Sequence, residues 1–417
     1  MSDNESKISE NNKPLKVGIV GGSIAGCALA IALIRLGCEV IVFERSAEGL
    51  IDRGAGLALP LPLVQKLKSE NFIDKDMPFL PISQQIFLRQ TKSIQEHSQS
   101  ILWEQPVAFA ANNWSLLFTN LRTRIPNHNY RLNSFVTNIT EIDKCCNVEL
   151  ENGDVFCFDI VFCADGYNSI GRKLMYPEIK LNYAGYVAYR GLLDEGTVPN
   201  VKYFESKISY AVYKNGHGVF YLVPSQDGNK RQLNWLIYRK ESLGMVSNTP
   251  SFGNASIMTS APLSGARSNS VLDEFYDFVN QNLTNFLTEI IHLTPKIISQ
   301  PIYDLFTPSY IRGRICLIGD AASLARPHTG SGAVKALDDA ISIANILRGA
   351  DNIDGAISEW DNQRSIVGNE LVHLGIALGE ALVNATPDWK TMDNKSMSGW
   401  WANVINNKRW YLVNDVK

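Results

Sequence analysis

The sequence predicts an α/β protein in which a parallel sheet is interrupted by a second, β-rich unit and followed by helices. Three observations carry this prediction. Residues 15–45 have the pattern of a strand, a glycine turn, a helix and a second strand. Residues 181–238 alternate in polarity and are rich in tyrosine, as strands are. Residues 331–348 and 354–384 have the apolar spacing of two long helices.

Composition narrows the classes of function. The chain has 417 residues, 39 Lys and Arg against 42 Asp and Glu, and 45% hydrophobic residues. This predicts a large core and two to three domains. The charges nearly cancel without a dense basic run, which disfavours a nucleic-acid or anionic-membrane partner. Residues 1–16 lack the features of a secretory signal, and no uninterrupted apolar stretch reaches the length of a membrane span.

The cysteines favour a reduced protein. There are seven, without a C-x-x-C motif, which predicts neither a disulfide framework nor a zinc site. We therefore expect no metal site. We also expect a soluble, cytoplasmic protein. Five cysteines lie in apolar runs and are interpreted as small core residues: Cys27, Cys38, Cys157, Cys163 and Cys316.

The first βαβ unit predicts a dinucleotide site. A strand at 17–20 leads into Gly21, Gly22, Ser23 and Gly26, and a helix and a second strand follow. Glycines let the backbone approach a pyrophosphate, and the helix N-terminus offers oriented N–H groups to it. Glu44 ends the second strand, where a carboxylate accepts both ribose hydroxyls of an adenosine. The alternative is a tight structural turn in an unrelated α/β protein.

The remaining elements follow in order along the chain. We expect a loop and a short helix at 53–68, strands at 82–109, a helix at 115–125, a three-strand meander at 130–160 and a buried strand at 161–164. After the tyrosine-rich region we expect a loop at 248–269, a helix at 271–288 and a strand at 315–318. The tail from 386 carries Trp389, Trp400, Trp401 and Trp410, so it is expected to pack on the body or on another subunit.

Two distant segments specify the dinucleotide. One runs from Cys163 through Asp165 and Gly166 to Arg172, and the other runs from Gly319 to Ala340. Together with the N-terminal glycines, in this order, they resemble the FAD-dependent aromatic hydroxylases, the single-component (group A) flavoprotein monooxygenases. The resemblance extends from about 17 to 382. Segments such as 186–191, 233–239 and 326–329 resemble one subgroup, the 2,6-dihydroxypyridine 3-hydroxylase-like enzymes.

The resemblance implies a fold and a set of FAD contacts. The fold would be a discontinuous Rossmann-like FAD-binding domain of the glutathione-reductase type, with a β-sheet substrate domain and C-terminal helices. Asp320 would bond the ribityl chain, Asp165 and Gly166 would brace the FAD strand, and Pro327 would form the wall before the flavin ring. The implied cofactor-binding residues are Gly21, Gly22, Ser23, Gly26, Glu44, Arg45, Arg53, Arg122, Asp165, Gly166, Asp320, Gly330, Ser331, Gly332 and Ala333.

The sequence departs from the wider family at two points. Trp114 or Ser115 stands where many members have an arginine, and Ser323 replaces the histidine common after the Gly-Asp-Ala-Ala motif. For Arg53 and Arg122 the alternative to a role at the FAD ribose and phosphates is an exposed surface charge. Contacts to the FAD phosphates are therefore expected to differ in detail from those of the family.

The implied reaction is aromatic hydroxylation. NADH or NADPH would reduce FAD, and a flavin C4a-hydroperoxide formed with O2 would transfer one oxygen atom to a small aromatic or heteroaromatic substrate. Attack is easier on a phenolate, and ionising a phenol at pH 7 costs about 4 kcal/mol. His328 lies in a flavin-facing motif and is a candidate base or substrate ligand, the alternative being a structural hydrogen bond. Tyr221 would orient the ring, as would Tyr189 and Arg190, unless these are core residues.

The predicted organisation has four parts. Residues 1–14 form a flexible N-terminus, and residues 15–80, 112–180 and 300–348 form the FAD-binding domain. Residues 81–111 and 181–299 form the substrate domain, and 349–417 form a C-terminal helical region. Epoxidation, Baeyer–Villiger oxidation and reduction stay open as related activities, and a non-catalytic FAD-binding protein is a further alternative. A homodimer is compatible with the aromatic tail.

Overall fold

The computed structural model describes residues 13–48, 50, 56–90, 100–242, 261–262 and 266–405. Its strands are β1 Lys16–Val20, β2 Glu39–Phe43, β3 Gly56–Pro60, β4 Leu80–Arg89, β5 Ser100–Asn113, β6 Tyr130–Arg131, β7 Val136–Ile142, β8 Cys145–Leu150, β9 Val155–Phe158, β10 Ile160–Cys163, β11 Asn182–Asp194, β12 Lys207–Tyr213, β13 Gly216–Pro224, β14 Arg231–Lys240, β15 Ala261–Pro262, β16 Ile298–Phe306, β17 Ile311–Arg312, β18 Ile315–Leu317 and β19 Ser323–Leu324. The α-helices are α1 Ile24–Arg35, α2 Leu61–Ser69, α3 Trp114–Arg122, α4 Ile170–Met175, α5 Ala266–Asn282, α6 Asn285–His292, α7 Gly332–Leu347, α8 Ile353–Gly379 and α9 Asn394–Ile405.

A mainly parallel sheet carries the N-terminal unit. Its order is β17-β18-β10-β1-β2-β6, and β1 pairs in parallel with both β2 and β10. The strands are apolar on both faces because helices cover the sheet, and α1 and α7 pack on it as parts of one core. The carboxyl ends of β1, β10 and β18 lie side by side, so the segments that follow them meet at one edge.

A second, broad sheet carries the rest of the strands apart from a small β7-β8-β9 meander. Its order is β15-β16-β11-β14-β13-β12-β4-β5-β3, and β19 pairs with β16. One face packs on α5 and α6, and the other packs on the end of α8 and on α9. The period of two along each strand therefore assigns every side chain of this sheet to one of two different environments.

Several sequence predictions differ from the structure. Gly56–Pro60, expected as loop within the first domain segment, forms the edge strand β3 of the broad sheet. Strand β16 also joins the broad sheet, although it straddles the predicted boundary at 300. Two parts of the predicted loop at 248–269 are regular structure: residues 261–262 form strand β15, and α5 begins at Ala266. Residues 248–260 and 263–265 of that loop lie outside the described residues. The helix expected at 271–288 is divided between α5 and α6.

The cysteine prediction was wrong at one pair. Cys145 and Cys157 are joined by a disulfide between neighbouring strands of the meander. Cys157 is exposed, although its apolar neighbours suggested a core position, and Cys38 is half-buried. The apolar run around Cys157 misleads because only alternate side chains of strand β9 face the core. Cys27, Cys163 and Cys316 are buried as expected.

The C-terminal tail packs on the body of the protein, which is one of the two alternatives that the sequence predicted, the other being another subunit. Trp389 and Trp401 are buried against the broad sheet, and the Trp401 ring lies 5.4 Å from that of Phe87. Trp410 lies outside the described residues. Within the described part of the chain, one helical stretch, 353–384, is long and apolar enough to cross a bilayer, and half of its apolar window is buried inside the protein.

Candidate functional site

The glycine turn after β1 is shaped by close backbone contacts. Gly21 has φ +95°, and a Cβ there would lie 2.5 Å from the carbonyl oxygen of Ala164. A Cβ on Gly26 would lie 2.0 Å from the Gly21 oxygen. Ser23 is the N-cap of α1 but its side chain makes no capping bond, so it leaves the amides of the first helical turn available to an anion.

Glu44 holds this turn from the neighbouring strand. Its carboxylate accepts N–H bonds from Gly22 at 2.9 Å and from Ser46 at 2.9 Å, and the residue is 5% exposed. The hydroxyl of Tyr130 donates to the Gly22 carbonyl at 2.8 Å, and the Arg122 guanidinium lies 4.1 Å from the Tyr130 ring centroid. Arg122 is therefore one side chain away from the turn, and its own N–H groups donate to Ile125 and Asn127.

The other predicted arginines lie farther out or beyond the described residues. Arg45 is exposed beside a surface cleft that Asn133 and Glu151 also line. Arg53 lies outside the described residues. Asn113 caps α3 by accepting a hydrogen bond from the Ser115 amide at 2.9 Å. Ser115 is one of the two positions, with Trp114, at which many family members were expected to carry an arginine.

The second motif follows β10. One carboxylate oxygen of Asp165 accepts from the Ile170 amide at 2.7 Å, whereas the other, Oδ1, is buried without a partner. Burial raises the pKa of Asp165. Gly166 has φ +74°, and a Cβ there would meet no atom within 4 Å. An unpaired buried oxygen beside open backbone is a feature that a polar ligand would satisfy.

Arg172 ties the second motif to the third. Its guanidinium donates to the Tyr167 carbonyl in the second motif. It also donates to the Ala321 carbonyl in the third motif, at 3.1 Å. The sequence analysis quoted Arg172 only as the end of a motif and gave it no role. Its burial at 3% exposure, with these two backbone partners, makes it a clamp between the two segments.

The third motif rests on a buried ion cluster. The Asp339 carboxylate accepts from the Gly319 amide at 3.1 Å, from Lys335 Nζ at 2.6 Å and from Arg364 Nε at 2.7 Å. Lys335 also donates to the Gly319 carbonyl at 3.0 Å, so both polar groups of the Gly319 peptide backbone are bonded to this cluster. Asp320 follows directly, and burial raises its pKa.

The Pro327 turn leads from this motif into α7. Pro327, His328 and Thr329 form a single 3₁₀ turn, and Gly330 closes it with φ +63°. Ser331 is the N-cap of α7, but its hydroxyl donates to the Thr329 carbonyl instead of accepting from the helix. The first amides of α7, from Gly332 and Ala333 onward, therefore have no side-chain cap.

One face of the broad sheet meets the Pro327 turn. Alternate side chains of β11, β12, β13 and β14 point to this face, and their aromatic rings pack around His328 of the turn. The side chains between them point to the other face, toward α5 and α6. We call these residues the aromatic cluster: Tyr186, Tyr210, His217, Tyr221, Tyr238 and His328. Arg190 lies on the same face as Tyr186. Its guanidinium donates a hydrogen bond from Nη1 to Gln300 Oε1 at 3.0 Å.

Two candidate tyrosines lie on opposite faces. Tyr189 faces α5, stacks on Phe275 at 4.2 Å and donates to Glu241 at 2.8 Å, so it is not part of the aromatic cluster. Tyr221 pairs across the strands with Asn234, and its hydroxyl reaches the start of β3 near Gly56. Burial raises the pKa of Tyr221, and the positive charge of Arg190 opposes that shift.

His328 shares the cluster with a second histidine, His217, that the sequence analysis did not single out. The ring centroids of His217 and His328 are 5.2 Å apart, and both rings contact Tyr238. Burial lowers the pKa of His217 to about 3, and burial together with His217 and Arg326 lowers that of His328 well below its usual value. Alternation with Tyr221 along β13 is the signal that could have placed His217 here.

The residues present fit an FAD group. Uncapped first turns at α1 and α7, the unpaired Asp165 oxygen and the open backbone at Gly166 and Gly332 lie on segments that follow β1, β10 and β18 or the Pro327 turn. Two helix N-termini suit a diphosphate and an anionic ring edge, and acidic groups suit ribose and ribityl hydroxyls. Within the described ranges, no cluster of three or more His, Cys, Asp or Glu side chains is suited to a metal ion.

Comparison with family models matches two separate segments of the chain. Residues 16–65 match a pyridine nucleotide-disulphide oxidoreductase family model, and residues 183–302 match an FAD binding domain-like model. The 2,6-dihydroxypyridine 3-monooxygenase of Paenarthrobacter nicotinovorans is 24% identical over 84% of this chain and 87% of its own length. The 6-hydroxynicotinate 3-monooxygenase of Bordetella bronchiseptica is 23% identical over 90% of this chain and 94% of its own.

A solved structure has the same fold. The 2,6-dihydroxypyridine-3-hydroxylase of Arthrobacter nicotinovorans superposes with a TM-score of 0.81 at 22% identity, covering 92% of this chain and 97% of that one. The match therefore extends over most of both chains. The resemblance inferred from the separated sequence motifs is confirmed as a resemblance, and the predicted fold is confirmed.

Proposed function

We propose that this chain is an FAD-dependent monooxygenase of the aromatic-hydroxylase type, which uses NAD(P)H and O2 to hydroxylate a small aromatic or heteroaromatic ring. One observation carries the proposal. A single turn, Pro327–Thr329, joins the Gly319–Asp320 motif to the aromatic cluster and leads directly into the uncapped start of α7. The groups suited to a flavin and those suited to a flat ring thus share one structural element.

The residues that would hold FAD follow from the site. The start of α1 and the turn at Gly21–Gly26 would take the diphosphate, Glu44 the adenosine ribose, and Asp320 the ribityl chain. The amides of Gly332 and Ala333 would face the flavin ring, and Asp165 would offer its unpaired oxygen. When bound, FAD supplies the redox chemistry, accepting a hydride from NAD(P)H and activating O2 for transfer of one oxygen atom.

The chain's own residues bind, orient and shield the ring. The aromatic cluster is buried, and Trp401 and Met397 of α9 cover the adjoining part of the same sheet face, which keeps water away. Arg190 and Tyr221 offer donors on this face. Neutral His217 and His328 offer ring nitrogens without adding a charge near the substrate.

The test is coenzyme oxidation by the purified FAD-loaded protein. NADH and NADPH are each supplied with and without hydroxylated pyridines, benzoates, indoles and phenazines, and products are followed by mass spectrometry. A compound that accelerates oxidation and gains one oxygen atom on its ring supports the proposal. Epoxides or lactones point to the related activities, and failure of both coenzymes to reduce bound FAD contradicts monooxygenation.

Two further features belong to the proposal. We expect a cytoplasmic enzyme, because the relatives are named as monooxygenases of small ring compounds. A homodimer is the expected assembly if the exposed part of the C-terminal region forms an interface. Sedimentation of the holoenzyme distinguishes a dimer from a monomer.

A further inference from the structure

Asn234 is a buried polar residue on the face of the aromatic cluster. It lies on β14, is 2% exposed, and pairs directly with Tyr221 of β13. Residues that pair directly across strands project to the same face of a sheet, so Asn234 and Tyr221 share the cluster face. Its chain neighbours Leu233 and Trp235 project to the opposite face, toward α5 and α6. The sequence analysis gave Asn234 no role of its own.

One end of the Asn234 amide is bonded to the start of β3. Its Oδ1 accepts a hydrogen bond from the Gly56 amide at 2.9 Å, across a separation of 178 residues. A backbone N–H only donates, so the side-chain oxygen faces Gly56 and Nδ2 is directed elsewhere. A Cβ on Gly56 would lie 2.5 Å from Asn234 Cγ and 2.7 Å from the Tyr221 hydroxyl oxygen. Only glycine therefore lets the amide lie against this strand.

The other end of the amide has no protein partner. Nδ2 of Asn234 is buried, and none of the described residues accepts a hydrogen bond from it. Buried amide groups are almost always bonded in folded proteins, because a buried donor without an acceptor has lost its bonds to water and gained none in return. Since Nδ2 only donates, the group that completes it must be an acceptor such as a carbonyl oxygen.

Strand β3 lies between the two cores of the protein. Leu57 packs against the core of the parallel sheet, whereas Ala58 packs against that of the aromatic cluster. The strand also contacts α7, whose first turn has no side-chain cap. A flavin ring held by this helix and by the Pro327 turn would lie at the boundary between the two cores. The bond to Gly56 places the Asn234 amide at the same boundary.

A substrate oxygen offers the same chemistry as a flavin oxygen, and the position of the amide favours the flavin. Asn234 is four residues along β14 from Tyr238, the residue whose ring contacts His328 of the Pro327 turn. Successive strand residues rise about 3.3 Å, so the amide is roughly 13 Å along the strand from the centre of the aromatic cluster. It is attached instead to the strand that borders the core of the parallel sheet.

We propose that Asn234 binds the flavin ring of FAD, with Nδ2–H donating to one of the two ring carbonyl oxygens while Oδ1 holds the start of β3. The contact adds a residue to the cofactor-binding set implied by the sequence, and it rests on the proposed function. The donor is uncharged, so it satisfies a ring oxygen without placing a fixed charge in a buried site. It is stronger toward reduced flavin, because that ring carries negative charge.

The first test measures the carbonyl stretching bands of bound FAD by Raman spectroscopy. The full-length protein is loaded with FAD that carries ¹³C at one ring carbonyl carbon at a time, which assigns each band. We expect Asn234→Leu to raise the frequency of one carbonyl, because a C=O bond stiffens when it loses a hydrogen bond. Bands that do not respond to Asn234→Leu, as ordered water at the amide would give, overturn the contact.

The control for this test is Asn129→Leu. Nδ2 of Asn129 already donates to the Val40 carbonyl at 2.7 Å, so it has no hydrogen bond to offer to a ligand in the same direction. Both carbonyl bands are expected to keep their wild-type frequencies in this variant. Equal shifts in Asn129→Leu and Asn234→Leu would indicate a general loosening of the protein and contradict a specific contact.

The second test measures the reduction potential of bound FAD at pH 8. In Asn234→Asp a carboxylate oxygen still accepts from the Gly56 amide, but the ionised side chain donates nothing. We expect reduced FAD to lose at least about tenfold more affinity than oxidised FAD, which lowers the potential by about 30 mV or more. Asn362→Asp adds the same charge on the exposed surface of α8 and should leave the potential unchanged. Asn234→Asp is decisive if Asn234→Leu does not retain FAD, and an unchanged potential in it contradicts the contact.

A third arm separates failure of this contact from failure of the proposed function. The labelled wild-type and Asn234→Leu holoenzymes are measured with and without salicylate, and oxygenated products are followed as described above. A band shift in Asn234→Leu without any oxygenated product supports the contact and contradicts the monooxygenase. Oxygenated product with unresponsive bands leaves the monooxygenase intact and overturns the contact. A band that responds to Asn234→Leu only in the presence of salicylate assigns the amide to the substrate and overturns the contact as well.

Discussion

Lys335 and Asp339 form an ion pair of 2.6 Å one helical turn apart on α7, and the two side chains are 2% and 0% exposed. Burial alone would raise the pKa of Asp339, but Lys335 and Arg364 outweigh it and hold that pKa below its usual value. Both residues also bond the Gly319 peptide backbone, which begins the Gly319–Asp320 motif. The charge pair thus connects the stability of α7 to the geometry of the cofactor motif.

Lys335→Met is expected to destabilise the protein by about 3 kcal/mol and to weaken FAD binding, because the Asp339 charge stays buried with Arg364 as its remaining cationic partner. Urea unfolding of the apoprotein measures the first effect, and an FAD titration measures the second. Lys144→Met is the matched control: Lys144 is 74% exposed and 3.7 Å from Asp354, so less than about 1 kcal/mol is expected. Similar losses in both variants would contradict a special role for the buried pair.

Gly26→Ala is expected to abolish FAD binding. The new Cβ would lie 2.0 Å from the Gly21 carbonyl oxygen, a backbone atom that can move only if the turn moves with it. Gly399→Ala in α9 is the control, since a Cβ there meets nothing within 4 Å and alanine favours a helix. Retention of visible flavin absorbance through gel filtration gives the comparison, and a yellow Gly26→Ala protein would refute the packing argument.

Stability is expected to fall as pH is lowered below about 6.5, and His217 contributes to the slope. Its pKa is about 3 in the folded protein and near 6.5 in an unfolded chain, so between these values only the unfolded chain binds the proton. Each such histidine contributes about 1.4 kcal/mol per pH unit in this window. The groups facing His217 are Tyr210, Tyr238 and His328, which carry no negative charge at these pH values.

The measurement is urea unfolding at several pH values between 4 and 6.5. His217→Gln should reduce the slope by about 1.4 kcal/mol per pH unit, whereas His128→Gln at the exposed surface should leave it unchanged. His328 contributes with the same sign, so some slope persists in the single variant. An unchanged slope in His217→Gln would mean that the buried ring is already charged in the folded state.

The sequence predicts much of this fold because its strongest signals are local. The glycine turn, Glu44 at the end of β2 and the Asp-Gly and Gly-Asp motifs each follow a buried strand, so the parallel sheet brings them to one edge. Position on the broad sheet was harder to predict. The sequence analysis offered the neighbours Tyr189 and Arg190 alike for orienting the ring, yet only Arg190 lies on the face of the aromatic cluster, because register decides the face.

The partners that complete the site are non-local and could not be read from the sequence. His217 gains its role from Leu382 at a separation of 165 residues, and Arg172 gains its role from Ala321 at 149. No local pattern marks Lys335 and Asp339 as ligands of the Gly319 backbone rather than as an ordinary surface pair at helical spacing. The burial of the two side chains distinguishes a ligand of the Gly319 backbone from a surface pair. That burial depends on the packing of α7 against α1 and α8.

Arg190→Gln is expected to weaken binding of anionic rings selectively. Burial lowers the pKa of Arg190, with Tyr221 and Tyr238 acting in the opposite direction, and Gln300 accepts one of its N–H bonds. A charge-assisted bond to a ligand oxygen is worth about 1.5–3 kcal/mol, so the dissociation constant for salicylate should rise about 10- to 100-fold. Phenol, which is neutral at pH 7, should lose much less affinity.

The control is Arg239→Gln. Arg239 lies on β14, the strand that pairs with the β11 strand of Arg190, but its side chain faces α5. On that face its Nε lies 3.5 Å from a carboxylate oxygen of Glu241. Perturbation of the flavin absorbance reports binding of both probes to each holoenzyme. Equal weakening of salicylate and phenol in Arg190→Gln would indicate a packing defect in place of charge recognition, and salicylate binding that depends on Arg239 would place the anion on the wrong face of the sheet.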